Sequence, residues 1–490
     1  MDTEIRSRNC FEKIMATLIV VAALIYLPVK ILSMGYLPTD DTNRHIAFSM
    51  LDKTWPDVLV QEPGFGADHN AGWHMVLRFL NRRCNVSREG LMYFSTVGMF
   101  LLLNLTGAFI IPCSVTWFIV LLIIFIAESS MFGRMVCGRP FIVSCFSTLI
   151  ILRLWFIDAK KYGQHEFCVT AKYLLSLAAL TLGVWIHGTW YIFLIFPMAQ
   201  LLAGNIKKTF ELTLLIALAT LLGAYMTGHF SEFLQYHFSA PKNIYSEQVF
   251  NWQLVTENGE GNPGWTWLIF AFGIFAVLIY NKRARLNELA YDPLFFLIML
   301  TWLPAIKIIR FWADWGRISL MFWLCYKLTD VIRDMELVKK AFFRYVLFIL
   351  VIAGALIIIP KAPWSQQKLR EFYTADFTKE ELKPFKPEEG GIVYNDQMFH
   401  FYFQFYNEPE GKYRYILGFE SATMPREDKV VLRDLSYTGG HASAYKPWID
   451  KLTKKDRIFA SNDITKEYPQ LDWVRASNKL WIGKLKENNG

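Results

Sequence analysis

The sequence predicts an α-helical integral membrane protein with about eleven transmembrane helices and a small soluble α/β domain at its C-terminal end. Hydrophobic residues make up 53% of the 490 residues and charged residues only 19%, against roughly 25% charged residues in a typical soluble domain. The longer apolar blocks contain about 16 to 22 residues, the length that an α-helix needs to cross a hydrocarbon core. We therefore expect helices to form the membrane part.

The predicted spans begin with the run 14–32, which follows the basic residues Arg6, Arg8 and Lys13. This run lacks the small-residue cleavage site of a signal peptide, so we predict that it remains as a first span with its amino end inside. The further runs predicted to cross the membrane are 91–111, 115–127, 141–157, 173–184, 190–202, 212–227, 265–280, 294–309, 318–328 and 345–359.

Basic residues in the loops predict the topology, because Lys and Arg concentrate on the cytoplasmic side of a membrane. Counting crossings from an inside amino end places the basic clusters inside, at 160–161, 207–208, 282–285 and 333–340. The count predicts a transmembrane domain, 1–360, with a large first external loop, 35–90, and a soluble outer α/β domain, 361–490. The predicted location is the bacterial inner (cytoplasmic) membrane, with the C-terminal domain in the periplasm or outside the cell.

The C-terminal part differs in composition from the rest, with frequent charges, Pro and Gly. Strand-like runs at 391–394, 415–418 and 457–460 alternate with helical patterns, which predicts a small α/β domain. The helical patterns lie at 397–406, 427–435 and 447–452. This part contains no glycine-rich phosphate loop, so the sequence assigns it no chemistry.

The first external loop carries two adjacent carboxylates at a helix-start signal, followed by histidines. The polar residues of interest are Asp40, Asp41, His45, Asp68, His69 and His74. Apolar residues on one face after the acidic pair predict a short amphipathic helix on the membrane surface, and a second short helix is predicted at 73–80. Capping of the first helix is one interpretation of the acidic pair. General base catalysis is the other, with Asp41 preferred over Asp40.

The histidines of this loop also have two interpretations. With the aspartates they could ligate a divalent cation such as Mg or Mn, with Asp40 and Asp41 as the metal ligands, although no compact signature such as HExxH occurs. We favour hydrogen bonds from His45, His69 and His74 to a substrate hydroxyl or phosphate, or pairing of histidine with aspartate.

Several arginines at the predicted outer face depart from the positive-inside pattern, among them Arg139, Arg310 and Arg317. They either reach toward lipid headgroups and nearby carboxylates, or converge on an anionic ligand. A lipid phosphate is the most natural anion there, because the guanidinium fork matches its oxygens.

The motif Thr39-Asp40-Asp41 and its setting resemble the GT-C superfamily of polytopic glycosyltransferases, which use polyprenyl-phosphate-linked sugars. The shared features are an acidic pair in a large first external loop, about eleven spans and an outer C-terminal domain. The resemblance implies that Asp41, with Asp40 as the alternative, is the general base on the acceptor or helps to coordinate a metal near the donor phosphate.

The same resemblance implies that Arg310 and Arg317 hold the polyprenyl phosphate leaving group and that Arg139 and His187 complete the cavity. The implied reaction transfers a hexosyl or pentosyl group from a polyprenyl-phosphate donor to a lipid, glycan or protein acceptor at the outer membrane face. A single displacement would invert the anomeric centre. No subfamily is identified, so the donor sugar and the acceptor stay open.

Two alternative functions are carried forward. A lipid-linked polysaccharide polymerase or ligase would use the same arginines, with His69 or His74 as base. A lipid or glycan transporter would place ionisable residues near the bilayer midplane and show internal repeats, which this sequence does not. Membrane lipids are expected partners. Nucleic acid is not, because the net charge of +8 is dominated by loops predicted to face an anionic leaflet.

Overall fold

The computed structural model describes residues 41–127, 129–162, 164, 166–246, 291–332 and 372–486, with a few single positions between 22 and 33 and between 272 and 280. The chain divides into two units. Unit 1 comprises Met1–Met34, Tyr93–Gly228 and Glu260–Ala362, and unit 2 comprises Gly35–Met92, His229–Gly259 and Pro363–Gly490. The first external loop of the sequence-based prediction thus belongs to the same unit as the C-terminal part.

The described helices, numbered in chain order, are α1 Asp41–Ser49, α2 Ala71–Cys84, α3 Arg88–Tyr93, α4 Met99–Ile110, α5 Ser114–Ala127, α6 Ser129–Val136, α7 Phe141–Trp155, α8 Val169–His187, α9 Ile195–Leu202, α10 Ile206–Met226, α11 Phe230–Ser246, α12 Pro293–Ala305, α13 Arg317–Ile332, α14 Met398–Asn407, α15 Arg426–Tyr437 and α16 Lys446–Lys451. The described strands are β1 Ile392–Asn395, β2 Arg414–Tyr415, β3 Arg457–Ala460, β4 Leu471–Ser477 and β5 Leu480–Leu485.

Helices α7, α8 and α10 of unit 1 pack closely through glycine. A Cβ atom on Gly183 of α8 would lie 2.9 Å from Ser147 Oγ of α7, and one on Gly223 of α10 would lie 2.7 Å from a methyl group of Val184. Ser147 Oγ also donates a hydrogen bond of 2.6 Å to the Ala179 carbonyl. Because the two glycines have no side chain, the helix backbones approach to distances that any larger residue would prevent.

The prediction of about eleven transmembrane helices is wrong. Among the residues that the structure describes, three helices are long and apolar enough to cross a membrane: Arg88–Ile110, Val169–His187 and Ile206–Met226. Five other predicted spans form helices of 8 to 16 residues: α5, α7, α9, α12 and α13. At 1.5 Å per residue even the longest covers about 24 Å, less than the ~30 Å of a hydrocarbon core.

The physical reason is that a short apolar helix can be a core helix of the protein itself. Leu149, Ile151 and Leu152 of α7 are fully buried, and so are Met321 and Phe322 of α13. The predicted spans 14–32, 265–280 and 345–359 lie outside the described residues, apart from single positions. Three candidate spans do not fit a multi-pass protein of the bacterial inner membrane with an outer C-terminal domain, so that predicted location is also wrong.

Unit 2 contains a five-stranded mixed sheet with the strand order β2-β1-β3-β5-β4. Strand β1 pairs in parallel with β2 on one side and with β3 on the other, and the remaining pairs are antiparallel. Strands β1 and β3 and helices α14, α15 and α16 lie where the sequence patterns predict them. The hairpin of β4 and β5 lies in a stretch where no strand is predicted.

The loop that contains α1 is built into this sheet. Val60 donates a backbone hydrogen bond to the Tyr415 carbonyl, and Tyr415 donates one to the Val58 carbonyl, both at 2.9 Å. Phe48 and Trp55 stack at 4.1 Å between ring centroids and belong to the core cluster that also contains Phe401 and Tyr415. Helix α1 is therefore buried in unit 2, and the prediction of a helix on a membrane surface is wrong.

Candidate functional site

The carboxylate of Asp41 lies in the first turn of α1. Its Oδ1 accepts hydrogen bonds from Arg44 Nε at 2.9 Å and from the Tyr402 hydroxyl of α14 at 3.4 Å. The Asp41 side chain is 24% exposed, whereas that of Arg44 is 3% exposed. The carboxylate of Asp41 is thus held by two hydrogen-bond donors and keeps part of its surface exposed.

Arg44 is enclosed by aromatic rings. Its guanidinium carbon lies 4.1 Å from the ring centroid of Phe419 and 5.5 Å from that of Trp55. Rings at these distances attract the positive charge, and together with Asp41 they compensate for its burial. Arg44 is thereby fixed in the orientation that holds the Asp41 carboxylate.

A chain of hydrogen bonds joins two histidines to an aspartate in the same unit. His45 Nδ1 lies 2.7 Å from His74 Nε2, and His74 Nδ1 lies 2.6 Å from Asp68 Oδ2. An ionised carboxylate can only accept, so His74 donates through Nδ1 and accepts at Nε2, and His45 donates through Nδ1. The lone pair of His45 then lies on Nε2, against which the described residues place no hydrogen-bond partner.

The protonation states follow from the surroundings of each group. Burial alone would raise the pKa of Asp68, but the electrostatic attraction and the hydrogen bond of His74 outweigh it and lower the pKa to about 2. Burial, followed by the positive charge of Arg44 and by the neighbouring His74 ring, holds the pKa of His45 well below its ordinary value. At neutral pH the series of hydrogen bonds therefore has an ionised Asp68 at one end and a neutral His45 at the other.

His69 also belongs to unit 2 but is not part of the hydrogen-bonded series of Asp68, His74 and His45. Its ring stacks on Tyr236 of α11 with 5.8 Å between the centroids and 8° between the planes. Burial, followed by the charge of Arg44, lowers the pKa of His69 to about 3. A neutral imidazole can hydrogen-bond to a ligand but carries no charge with which to hold a phosphate.

The described residues do not form the divalent cation site considered from the sequence. No group of three His, Cys, Asp or Glu side chains that could hold a metal occurs in the part of the chain that the structure describes. Asp41 is bonded to Arg44 instead, and Asp40 lies outside the described residues. The side chains that the structure describes in this region therefore do not fit a metal ion.

The arginine cluster of unit 1 is organised around a carboxylate that the sequence-based prediction left without a role. Asp314 is fully buried, and it pairs with Arg134 through Oδ1 and with Arg310 Nε at 3.1 Å through Oδ2. The Cys145 thiol donates a hydrogen bond of 3.1 Å to the backbone carbonyl of Asp314. One carboxylate thus pairs with two guanidinium groups, and 30% of the Arg310 side chain is exposed.

The other predicted site residues of unit 1 have separate positions. Arg139 is half-buried just before α7, and Arg317 is buried at the first residue of α13. His187 is buried at the end of α8, where its Nδ1 lies 3.0 Å from Ser144 Oγ and 2.8 Å from Thr189 Oγ1. These two hydroxyl groups satisfy one nitrogen of His187 within the fold, which is typical of a structural histidine.

The structure thus groups Asp41, His45, His69 and His74 in unit 2, and Arg139, His187, Arg310 and Arg317 in unit 1. The sequence analysis gives no role to Tyr402 or Asp314. The spacing of four between Arg310 and Asp314 was an available signal, because such residues are neighbours on a helix. No local pattern predicts Tyr402, which lies 361 residues after Asp41.

Neither protein-family models nor curated protein sequences give a match to this chain.

Proposed function

We propose that this chain is a glycosyltransferase that moves a sugar from a polyprenyl-phosphate donor to a lipid, glycan or protein acceptor. The observation that carries the proposal is the carboxylate of Asp41, which is partly exposed and is held by the buried Arg44 and by Tyr402. A fixed, ionised carboxylate at an accessible position is what general base catalysis requires.

Asp41 would accept the proton of an acceptor hydroxyl while the hydroxyl oxygen attacks the anomeric carbon of the donor. The bond from that carbon to the phosphate oxygen breaks, and polyprenyl phosphate leaves with the bonding electron pair. One displacement of this kind inverts the anomeric centre. Hydrogen bonds from Arg44 and Tyr402 fix the direction from which Asp41 takes the proton.

Unit 1, taken by itself, holds arginines that suit a phosphate group. The guanidinium groups of Arg134 and Arg310 lie against the Asp314 carboxylate, and Arg310 is partly exposed. Guanidinium groups are strong hydrogen-bond donors to phosphate oxygens. Unit 1 also exposes apolar residues on α8 and α10, among them Leu174, Phe210 and Leu214, which suit contact with a lipid chain.

The test compares Asp41→Asn with the wild-type full chain in the presence of polyprenyl-phosphate-linked hexoses and pentoses. Acceptor lipids, oligosaccharides and peptides are supplied as a panel, and the released polyprenyl phosphate is measured. We expect release by the wild type and a rate at least ~100-fold lower in the variant, the size of a general base contribution. The Asn side chain keeps an oxygen that can accept from Arg44, so unit 2 should remain folded.

Asp52→Asn is the matched control, because Asp52 is an exposed carboxylate of the same unit that pairs with the exposed Arg82. It should release polyprenyl phosphate at the wild-type rate. Wild-type turnover by Asp41→Asn would contradict the assignment of the base. Failure of the wild type to use any of the donors would contradict the donor class.

A further inference from the structure

A polar cavity of about 320 Å³ opens at the carboxyl ends of β1 and β3 in unit 2. Asp396 and Gln397 follow β1 directly, and Ser461 and Asn462 follow β3 directly. Tyr373 and Lys479 also line the cavity. Its volume lies in the range of about 300–1,000 Å³ that is typical of small-molecule sites.

The topology of the sheet explains why a crevice forms at this place. Strand β1 lies between its parallel neighbours β2 and β3. The chain therefore runs from β1 to β2 on one side of it and then crosses to β3 on the other side. The connections leave the carboxyl ends of β1 and β3 in opposite directions and keep the space between them open. Open α/β sheets bind ligands at such switch points.

Asp396 is a structural anchor of this cavity. Its carboxylate accepts hydrogen bonds from the Tyr445 hydroxyl at 2.6 Å and from both the backbone N–H and the hydroxyl of Ser461 at 2.9 Å. The Ser461 hydroxyl donates to Asp396, so its oxygen keeps lone pairs for a ligand hydroxyl. The Asp396 carboxylate is 8% exposed and remains in the cavity wall, where it disfavours an anion.

Asn462 is fixed by a turn of two glycines with positive φ, Gly439 at 64° and Gly440 at 78°. Its side-chain N–H groups donate to the carbonyls of Gly439 at 2.9 Å and Gly440 at 3.2 Å. A Cβ atom on Gly440 would lie 2.3 Å from Asn462 Nδ2, so the turn fits only without a side chain there. The amide nitrogen is occupied, which leaves Asn462 Oδ1 as an acceptor.

We propose that this cavity binds a monosaccharide or the terminal sugar of a glycan. The lining combines hydrogen-bond donors on Lys479 and Gln397 with acceptors on Ser461, Asn462 and Gln397, as the alternating donor and acceptor character of sugar hydroxyl groups requires. The positive Lys479 and the negative Asp396 balance each other, and Tyr373, whose ring packs against Phe399 and His400, adds an aromatic side chain to the lining that suits contact with sugar C–H groups. A sugar can bind here whether or not the chain transfers one at Asp41.

The experiment uses the purified full chain and the methyl glycosides of glucose, mannose, galactose and arabinose, with binding followed by saturation-transfer NMR. We expect saturable binding of at least one glycoside. Gln397→Ala and Asn462→Ala should each weaken it roughly 3- to 10-fold, the loss of one hydrogen bond. Gln397 is exposed and outside the core, so its variant reports on binding even if Asn462→Ala loosens the turn.

Gln470→Ala is the matched control, since Gln470 is an exposed amide that does not line the cavity. It should bind the same glycoside with unchanged affinity. Absence of saturable binding for all four glycosides would overturn the inference, as would unchanged binding in both cavity variants. Competition by inorganic phosphate would identify an anion site and would also overturn it. Loss of glycosyl transfer in Asp41→Asn, with glycoside binding intact, would separate the two proposals.

Discussion

Asp68→Asn tests the hydrogen-bond chain from Asp68 through His74 to His45. The variant keeps an oxygen that can accept from His74 Nδ1 but removes the charge, so it isolates the electrostatic part of the 2.6 Å contact. The Asp68 side chain is 24% exposed and that of His74 is 2% exposed, so solvent screens this pair only weakly.

The magnitude follows from the pKa of Asp68, which the contact with His74 lowers from 3.8 to about 2 against the effect of burial. A shift of this size corresponds to roughly 2 kcal/mol of stability. Because the folded-state pKa is below the unfolded-state value, this stability is fully present above about pH 4 and is lost as the pH falls through about 2. The difference in the free energy of unfolding between the wild type and Asp68→Asn should therefore be largest at neutral pH and should become smaller in acid.

Hydrogen–deuterium exchange of the full-length protein measures this difference in stability for unit 2 alone, through peptides that contain β1 and β3. We expect their slowest amides to exchange roughly 30-fold faster in Asp68→Asn at pH 7, which corresponds to about 2 kcal/mol. The ratio at matched pH should fall several-fold between about pH 4 and pH 2.5. Asp52→Asn, with a 79% exposed carboxylate, should leave exchange at wild-type rates. Equal rates in wild type and Asp68→Asn at pH 7, or a ratio that does not change with pH, would refute the reasoning.

Two further predictions concern unit 1. Asp314→Asn removes the buried charge between Arg134 and Arg310, and we expect the free energy of unfolding to fall by about 3–5 kcal/mol. The measurement is the thermal midpoint of unfolding, which should be lower in the variant. An unchanged midpoint would show that the arginines do not need this partner. Gly183→Ala introduces a Cβ atom 2.8 Å from Phe193 and should destabilise the protein by about 1–3 kcal/mol. Gly133→Ala is the control, because a Cβ atom there meets nothing within 4 Å. It should leave the stability unchanged or raise it by about 0.5–1 kcal/mol. Equal midpoints for the two glycine variants would argue against close packing of α8.

The sequence predicts β1, β3 and the helices of the C-terminal part well, because β1 and β3 contain short apolar runs and α15 has a strong helical period. The strand predicted at 415–418 overlaps β2 only at Tyr415. It fails on the number of membrane spans. An apolar run such as 141–157 predicts burial but not what it is buried in, and α7 is covered by protein. The hairpin of β4 and β5 was missed although most of its residues are apolar, because Asp472, Arg475 and Lys484 divide them into runs of at most three, and most of the residues are only half-buried.

The candidate site was predicted in its residue types but not in its contacts. Asp41 and Arg44 are three positions apart on α1, a spacing that makes residues neighbours on a helix, and they do pair. The bond between His45 and His74 joins residues 29 positions apart in different helices, and no spacing rule gives that distance. The arginine cluster was expected to be ready for an anion, whereas Asp314 already compensates part of its charge.

The hydrogen bond between Tyr402 and Asp41 has a consequence for the order of events during synthesis. The two residues are 361 positions apart, so at ~5–20 residues per second the ribosome needs roughly 20 to 70 s to add the second after the first. During that time α1 lacks the sheet and the α14 helix against which it is buried. The nascent chain therefore contains Asp41 long before Tyr402 can donate a hydrogen bond to it, and the arrangement around Asp41 is completed only when most of the chain has been made.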